Sequence, residues 1–390
     1  MQTVRTGLEV FLDAPPPTLN RQRLGLLCNP ASVDSGYTHA SIRINQALPG
    51  QLNALYSPQH GFFAEKQDNM VESADRNDPA TGLPVFSLYG DTRIPTKPML
   101  EPIDVMLVDL QDVGTRVYTF IYTLSYCMEA ARQHDKRIIV LDRPNPIGGI
   151  QIEGNLLDPA YASFVGRYPI PMRHGLTIGE LAILFNTTFG IGCQLDVIAM
   201  QGWRRETLFD RTGLPWIAPS PNLPTPASAM VYPGQVIWEG TNISEGRGTT
   251  LPFELFGAPF ISPAQLMETI DRHLLDGAIL RPVIFEPTAG KWSGQSCHGF
   301  QIHITDDTVF SAYSLALGMY QAIFQLYPEQ FAYKQPPYEY EYERLPMDLI
   351  LGDRKARTDI ESGIPIADIQ AGWAESLSAY REMIAGIYLY

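Results

Sequence analysis

Glutamates close to glycines are the residues of this chain whose type and spacing fit acid–base chemistry. Glu65 ends the segment SPQHGFFAE, Glu153 lies in GGIQIEGN, and Glu239 and Glu245 share the segment WEGTNISEGRGTT. A glycine lets a carboxylate approach a ligand closely, and a nearby aromatic or apolar wall raises the pKa of the carboxyl group. Two such groups across a cleft, one acid and one base or nucleophile, are what glycosidic-bond cleavage usually requires. For any single glutamate, an exposed loop charge is the simpler interpretation.

His60 and Gly61 precede Glu65 in the same segment, directly after an apolar run over 52–56. A plain turn needs the glycine but neither the imidazole nor the carboxylate. The imidazole of His60 suits the orientation of that carboxyl group or of a water molecule. The alternative is a histidine that only caps a strand.

Other common chemistries lack their sequence motifs. The first apolar run leads into NPASVDSGYT, which has no GxGxxG for a dinucleotide, and neither GxxxxGK[ST] nor GxSxG occurs in the chain. The seven histidines form no HxxxH or HExxH pair, and the four cysteines form no CxxC pair. We therefore expect neither a cofactor nor a metal ion.

Composition and charge narrow the class of protein. Lys and Arg number 28 and Asp and Glu 42, a formal net charge of −14, which disfavours nucleic acid and anionic membrane surfaces as partners. Of the 390 residues, 45% are apolar and 18% charged, as in a globular protein large enough for two domains. No stretch approaches the ~20 apolar residues of a membrane span, and MQTVRTGLEVFLDAPPPTLN does not have the pattern of a signal peptide. As the sequence stands we expect a cytoplasmic protein, or a secreted or periplasmic one if a leader was removed.

Short apolar runs alternate with helical patterns along the first 150 residues. Several runs lack a period of two, as expected of strands covered on both faces, and the clearest helical pattern spans 118–134. This alternation predicts an α/β fold with a doubly wound parallel sheet. The runs are Leu24–Cys28, Leu52–Tyr56, Pro84–Leu88, Val105–Leu110 and Arg137–Leu141.

Polar residues follow the carboxyl end of each run. Ligands of an open parallel sheet bind beyond those ends, so five polar exits in a row indicate a cleft. Any one exit alone is also explained by an ordinary turn. The side chains that we expect in the cleft from these exits are Asn29, His60, Tyr89, Gln111 and Arg143.

The rest of the chain is predicted to form a second, smaller α+β domain. The Pro-rich segment PWIAPSPNLPTPASAMVYPG, residues 215–234, is predicted to be an extended connector that crosses the surface. Beyond it, RPVIFEPT and GFQIHITD are predicted strands, and SAYSLALGMYQAIFQLY is a predicted helix. The expected domains are residues 1–215 and 216–390.

Eight segments resemble the NamZ-type exo-β-N-acetylmuramidases, glycoside hydrolase family 171, formerly described as a domain of unknown function. The resemblance covers nearly the whole chain, and one departure is Ala64, near which relatives commonly carry glycine or arginine. It implies a Rossmann-like domain, an ancillary domain and an active site in the cleft between them. It also implies an exo-acting hydrolase that releases N-acetylmuramic acid from the non-reducing ends of peptidoglycan fragments. The segments are SPQHGFFAE, SLYGDTRIPT, VDLQDVGTRVYTF, LDRPNPIGG, EGNLLDP, PMRHGLTIGELA, SPNLPT and WEGTNISEGRGTT.

The resemblance makes Glu65 the leading catalytic carboxylate, and two phenylalanines before it favour a general acid. Glu153, Glu239 and Glu245 compete for the second catalytic role. The 2-acetamido group of the sugar is an alternative internal nucleophile, and both retention and inversion stay open. The alternative function is a non-catalytic protein that binds cell-wall sugars on the same fold.

Arginines are the residues that we expect to bind the lactyl carboxylate of N-acetylmuramic acid. A chain of net charge −14 must supply cations locally, and the planar guanidinium binds a carboxylate through two hydrogen bonds. Arg247, in the glutamate segment, and Arg143, after the fifth run, are the first candidates, followed by Arg116 and Arg173. The expected partners are peptidoglycan-derived saccharides, and the oligomeric state is left open.

Overall fold

The computed structural model describes residues 3–67 and 70–390, and its strands and helices are as follows. The strands are β1 (Leu24–Cys28), β2 (Leu52–Ser57), β3 (Arg76–Asn77), β4 (Pro84–Ser87), β5 (Val105–Asp109), β6 (Arg137–Leu141), β7 (Glu153–Leu156), β8 (Pro171–Arg173), β9 (Gln194–Ile198), β10 (Leu255–Ala258), β11 (Ala278–Phe285) and β12 (Cys297–Ile304). The α-helices are α1 (Gly7–Asp13), α2 (Ala40–Ala47), α3 (Lys97–Leu100), α4 (Phe120–Gln133), α5 (Ile178–Thr187), α6 (Pro226–Gln235), α7 (Pro263–Thr269), α8 (Ala312–Leu326), α9 (Pro346–Leu351), α10 (Arg354–Glu361), α11 (Ile366–Ala371) and α12 (Ala374–Ala385). Short 3-10 helices are Pro17–Leu19, Pro159–Tyr161, Phe209–Arg211, Val236–Gly240 and Arg272–Leu275.

Within the described residues, the main sheet has the strand order β3-β4-β2-β1-β5-β6-β9. All neighbouring strands are parallel except the short edge pair of β3 and β4. The chain moves outwards from β1 to β4 on one side and then from β5 to β9 on the other. The sequence-based prediction of a doubly wound parallel sheet is therefore confirmed, and the five predicted runs are five of its strands.

Helices cover both faces of this sheet, which explains the unbroken apolar runs. Successive residues of β5 point to opposite faces: Leu107 packs into one buried cluster and Val108 into the other. The first cluster lies under α1 and α2, and the second lies under α4 and α5. Because both faces of β5 are covered, neither face favours polar side chains, and all five residues of the strand are buried.

The second half contains an antiparallel sheet in the order β10-β12-β11, with α6 to α9 packed nearby. Its apolar residues Trp238, Phe256 and Leu315 belong to the same buried cluster as the α4 face of the main sheet. The fold class predicted from the sequence, an α/β sheet domain with a smaller α+β part, is thus confirmed. The division at residue 215 stays a prediction.

The prediction of an extended surface connector over 215–234 is wrong for its second half. Residues Pro226–Gln235 form α6, and most of its side chains are buried. Thr225 starts the helix, because its hydroxyl accepts the Ser228 N–H, and Pro226 occupies the first turn, where its missing N–H costs nothing. The same proline that suggests a connector is therefore a helix start.

The end of the chain packs against the carboxyl end of β6. The hydroxyl of Tyr390 donates to Oδ2 of Asp142 at 2.7 Å and accepts the N–H of Met200 at 2.8 Å. Thr177 donates its hydroxyl to the same carboxylate at 2.8 Å. Asp142 is fully buried, and this burial raises its pKa to about 7. The hydrogen bonds that it accepts from Tyr390, Thr177 and the Gly179 N–H lower the pKa, but by less than burial raises it.

No helix in the described part of the chain is both long and apolar enough to cross a membrane.

Candidate active site

A cavity opens beyond the carboxyl end of β2 and is lined by both halves of the chain. The first half contributes Gln59 and His60, and the second contributes Glu239, Arg247 and Glu339. This cleft position is the one that the sequence predicts for His60 and Glu239. Glu339 also lines the cavity, although no sequence motif predicts it as a site residue.

Glu339 is a buried carboxyl group on the wall of this cavity, with only 3% of its surface exposed. Its Oε2 accepts a hydrogen bond from the hydroxyl of Tyr89 at 2.6 Å, and its Oε1 accepts one from Nε2 of Gln59 at 3.0 Å. Burial raises the pKa of Glu339, and the neighbouring charge of Glu239 raises it further, against the lowering effect of the two hydrogen bonds. A carboxyl group held in this way is suited to remain protonated above its ordinary range.

The backbone around Glu339 is strained in a way that fixes its side chain. Glu339 and Tyr340 have φ values of 46° and 67°, the left-handed region that side-chain-bearing residues rarely adopt. Tyr338 and Glu341 form an isolated β-bridge across this turn. Two consecutive left-handed residues persist only where the surrounding contacts hold them, and at functional sites such strain is common.

Glu239 lies at the end of the 3-10 helix Val236–Gly240 and is 5% exposed. Its Oε1 accepts a 2.7 Å hydrogen bond from Nη2 of Arg247, and its Oε2 accepts one of 2.7 Å from the hydroxyl of Tyr338. Gly240 next to it has no room for a side chain, because a Cβ there would lie 2.9 Å from the Cα of Met347. Close backbone packing thus holds the second carboxylate of the cavity in place.

Glu245 extends this ion pair away from the cavity. Its carboxylate lies 2.8 Å from Nζ of Lys291 and 3.6 Å from Nε of Arg247. Burial alone would raise the pKa of Glu245, but the charges of Lys291 and Arg247 hold it below its ordinary value. Among the described residues that line the cavity, Glu245 is not included.

His60 and Gln59, in the loop after β2, line the cavity. His60 has φ +76°, and its Nδ1 donates to the carbonyl of Lys66 at 2.7 Å, which fixes the orientation of the ring. The side chain of Gln59 accepts from the hydroxyl of Thr119 at 2.6 Å while donating to Glu339. Tyr89, another predicted site residue, also contacts this network, since Nε2 of Gln59 lies 3.2 Å from its hydroxyl.

Glu65 lies on the same loop but is not among the residues that line the cavity. Its Oε1 pairs with Nη1 of Arg76 at 2.8 Å, its Oε2 accepts the N–H of Phe63, and its side chain is 39% exposed. Phe62 is buried in the core, whereas the Phe63 ring lies under the guanidinium of Arg76 at 4.9 Å. The structure places Glu65 beside a cation instead of against the expected apolar wall. Its role as general acid stays a prediction.

Glu153 and Arg173 form a buried ion pair of 2.7 Å outside this cavity. The other oxygen of Glu153 accepts the N–H of Tyr313 at 3.2 Å and the hydroxyl of Ser311 at 2.7 Å. These are the first groups of α8, so the carboxylate satisfies the free donors of a helix start. The structure does not bring these two predicted site residues together with Glu239.

Gln111 and Arg143 line a second, smaller cavity at the ends of β5 and β6, and Asn29 lies nearby at the end of β1 without lining it. Arg143 binds both oxygens of Asp109 at 2.5 and 2.8 Å, and Nε2 of Gln111 donates to the carbonyl of Pro144 at 2.9 Å. Asn29 makes a local turn by accepting the N–H of Ala31 at 3.0 Å. The strand order reverses at this point, which is where ligands of doubly wound sheets usually bind, yet a buried ion pair occupies it.

Arg116 is fully buried, and its partners are backbone carbonyls. Nη1 donates to the carbonyls of Asn155 and Ile170 at 2.8 and 3.1 Å, and Nη2 donates to those of Ile350 and Leu351 at 3.1 and 2.7 Å. Burial lowers the pKa of its guanidinium. The structure therefore places this predicted substrate ligand in the core, where it joins the two halves of the chain.

Among the described residues, no group of three or more His, Cys, Asp or Glu side chains is arranged to hold a metal ion. The chemistry of the cavity is that of two carboxyl groups with different surroundings, one paired with a guanidinium and one with neutral donors. Such a pair matches the acid and the charged partner of glycosidic-bond cleavage.

Comparisons with known proteins agree with this chemistry. The family model described as exo-beta-N-acetylmuramidase NamZ, N-terminal, matches residues 24–227, and its C-terminal counterpart matches residues 230–390. The chain is 44% identical over 380 residues to the peptidoglycan beta-N-acetylmuramidase NamZ of Bacillus subtilis (strain 168), covering 97% of this chain and 89% of that protein.

Two crystal structures of DUF1343 family proteins from Bacteroides fragilis NCTC 9343 have the same fold. One has a TM-score of 0.88 at 35% identity, and the other a TM-score of 0.77 at 28% identity. Each alignment covers 100% of this chain and 99% of the solved chain.

Proposed function

Because the chain belongs to the NamZ family of exo-β-N-acetylmuramidases, we propose that it releases N-acetylmuramic acid from the non-reducing ends of peptidoglycan fragments, with the cavity around Glu239 and Glu339 as its active site. The observation that carries this assignment is that two buried carboxyl groups line one cavity in different electrostatic surroundings. Cleavage of a glycosidic bond uses this asymmetry.

Glu339 is the general acid of the proposal. Burial raises its pKa, which favours the protonated carboxyl group that a leaving sugar oxygen needs. Tyr89 and Gln59 fix the two oxygens of Glu339, and this positions the proton before the substrate arrives.

Glu239 is the charged partner of the proposal. Its carboxyl group pairs with Arg247 on the wall of the cavity, and we place it beside the anomeric carbon, where positive charge develops in the transition state. A carboxylate in this position acts by direct attack, by activation of a water molecule, or by orientation of the substrate's 2-acetamido group. Each of the three routes requires the same proton from the acid.

The first experiment is incubation of the purified chain with the disaccharide MurNAc-GlcNAc and identification of the products by mass spectrometry. We expect free N-acetylmuramic acid and N-acetylglucosamine. The double variant Glu239→Gln/Glu339→Gln should release neither, whereas Glu286→Gln, a change of an exposed loop glutamate after β11, should behave as the wild type.

The proposed hydrolase activity would be contradicted if the wild-type chain bound the disaccharide in calorimetry but left it intact from pH 4 to pH 9. That result would make the chain a sugar-binding protein on the same fold. Cleavage of a long glycan into shorter fragments, without release of N-acetylmuramic acid from its non-reducing end, would contradict the exo mode of action.

A further inference from the structure

Arg93 lies in the loop after β4 with its guanidinium group enclosed by three aromatic rings. The carbon at the centre of that group is 3.5 Å from the ring centroid of Tyr340, 5.1 Å from that of Phe164 and 5.4 Å from that of Tyr89. Aromatic faces attract a guanidinium without satisfying its N–H donors. The rings therefore hold the plane of the Arg93 guanidinium without accepting its N–H groups.

Two nitrogen atoms of Arg93, Nε and Nη2, are shielded from solvent and have no hydrogen-bond partner among the described residues. A buried donor without an acceptor costs free energy, and the cost is larger when the group is charged. Such groups in a folded protein call for an explanation, and a missing ligand is one. The desolvated edge of Arg93 is the kind of surface that a carboxylate binds with two parallel hydrogen bonds.

The arginines that the sequence offers for the substrate's carboxylate are already occupied. Arg247 pairs with Glu239, Arg143 with Asp109 and Arg173 with Glu153. A second carboxylate at any of them would have to displace a buried ion pair. Arg93 differs from these three in that no carboxylate of the described residues lies within ion-pair distance of its guanidinium.

Arg93 also lies next to the proposed acid. Tyr340, the ring closest to its guanidinium, directly follows Glu339 in the chain, and Tyr89 donates its hydroxyl to Glu339. Phe164 precedes Val165, which lines the cavity. The positive charge of Arg93 contributes to lowering the pKa of Glu339, which is a further sign that the two groups are close.

We propose that Arg93 binds the lactyl carboxylate of the N-acetylmuramic acid residue and thereby selects it over N-acetylglucosamine. The inference rests on the proposed function, because it assigns one group of the same substrate to one side chain beside the same cavity. The two sugars differ only by the lactyl ether on O3, so a fixed and unpaired guanidinium supplies the contact that distinguishes them.

The test compares two chromogenic substrates, the nitrophenyl β-glycosides of N-acetylmuramic acid and of N-acetylglucosamine, on Arg93→Met and Arg93→Lys. Methionine keeps a flexible apolar stem between the rings but has no donor, whereas lysine keeps the charge without the planar fork. Arg281→Met, a change at an exposed position of β11, is the matched control.

We expect kcat/KM on the muramic acid substrate to fall about 10- to 100-fold in Arg93→Met, since a hydrogen bond to a charged group contributes about 1.5–3 kcal/mol. On the N-acetylglucosamine substrate, which has no lactyl carboxylate, kcat/KM should change by less than about threefold. Arg93→Lys should lie between these values, and the control should equal the wild type.

Equal losses on both substrates in a variant that unfolds at the wild-type temperature would overturn the role of Arg93. If Arg93→Met does not fold, Arg93→Lys carries the same comparison. If the wild type releases no N-acetylmuramic acid, the proposed function fails, and calorimetry with free N-acetylmuramic acid and free N-acetylglucosamine still decides the inference: Arg93→Lys must lose affinity for the first sugar and not for the second.

Discussion

The hydroxyl of Tyr89 donates a 2.6 Å hydrogen bond to Oε2 of Glu339, a residue 250 positions further along the chain. Tyr89 follows β4 of the main sheet, and Glu339 lies in the turn before α9, so this contact joins the two halves at the cavity. It ties the polar exit of a sheet strand to the carboxyl group that we propose as the acid.

Glu339→Gln should separate the acid from every other role, because it keeps the shape of the side chain and removes the titrating proton. We expect kcat/KM on MurNAc-GlcNAc to fall by ~10²–10⁴-fold. The loss should be much smaller on a nitrophenyl glycoside, whose leaving group needs little protonation. Glu65→Gln, measured in parallel, tests the sequence-based prediction: if Glu65 were the acid, this pattern would appear there and not at Glu339.

Glu239→Gln should show the opposite pattern. A charge that stabilises the anomeric centre acts on every leaving group, so both substrates should slow by a similar factor of about 10² or more. Steady-state kinetics on the two substrates measure it. A loss confined to the disaccharide would instead identify Glu239 as the acid and would exchange the roles of the two carboxyl groups.

Tyr89→Phe should move the alkaline limb of the pH profile of kcat/KM to higher pH. The acid works only when protonated, so activity falls as the pH rises through its pKa. The hydrogen bond from Tyr89 stabilises the carboxylate of Glu339 and so lowers this pKa, against the larger effect of burial. Removing the hydroxyl therefore raises the pKa further. A profile measured from pH 4 to pH 9 checks the direction, and a limb that moves down or stays in place would contradict the assignment of the acid.

Arg116→Met should act on stability and not on substrate choice. The change removes a buried donor from four core carbonyl oxygens, of which those of Ile170 and Leu351 keep a second donor, and we expect the free energy of unfolding to fall by about 3 kcal/mol. Urea denaturation measures it, with the exposed Arg132→Met as the control. A variant that keeps wild-type stability and loses activity only on N-acetylmuramic acid substrates would restore Arg116 as a substrate ligand.

Tyr390→Phe should destabilise the chain by about 1–3 kcal/mol, because the buried Asp142 loses a donor. The folded pKa of Asp142, about 7, is above that of an ordinary Asp, so its contribution to stability is present at low pH and is lost as the pH rises through 7. The tyrosine hydroxyl stabilises the ionised form, and its removal should therefore cost more at pH 8 than at pH 5. Urea midpoints at the two pH values test this, and Tyr388→Phe, which keeps the ring under Arg205, is the control. Equal losses at both pH values would contradict it.

The sheet was predictable because its signal is local. Residues such as those of Val105–Asp109 are apolar without alternation, and this alone indicates a strand with helices on both sides. The positions of His60 and Tyr89 near the cavity follow from the same logic, since strand ends of a parallel sheet share one edge. Pro226 suggests a connector, but it follows the capping residue Thr225 and begins α6.

Glu339 was not predictable from a local pattern. It lies in a tyrosine- and glutamate-rich segment without glycine. Its pKa depends on burial in the folded chain and on hydrogen bonds such as the one from Gln59, 280 residues earlier. The roles of the predicted substrate-binding arginines were not predictable for a related reason. Charge and spacing do not show whether a guanidinium already binds a carboxylate of the protein, as Arg143 binds Asp109. Partnering is a property of the folded chain.

Arg116 also decides how this chain can be divided. Two of its four carbonyl partners, Ile350 and Leu351, belong to α9, whereas the other two, Asn155 and Ile170, lie in the first half. A fragment that ended in the Pro-rich segment would expose an apolar face and leave this cation with half of its acceptors. We therefore expect the two halves of the chain to unfold as one cooperative unit, and a gene cut between them should give pieces that function only when they reassemble around that guanidinium.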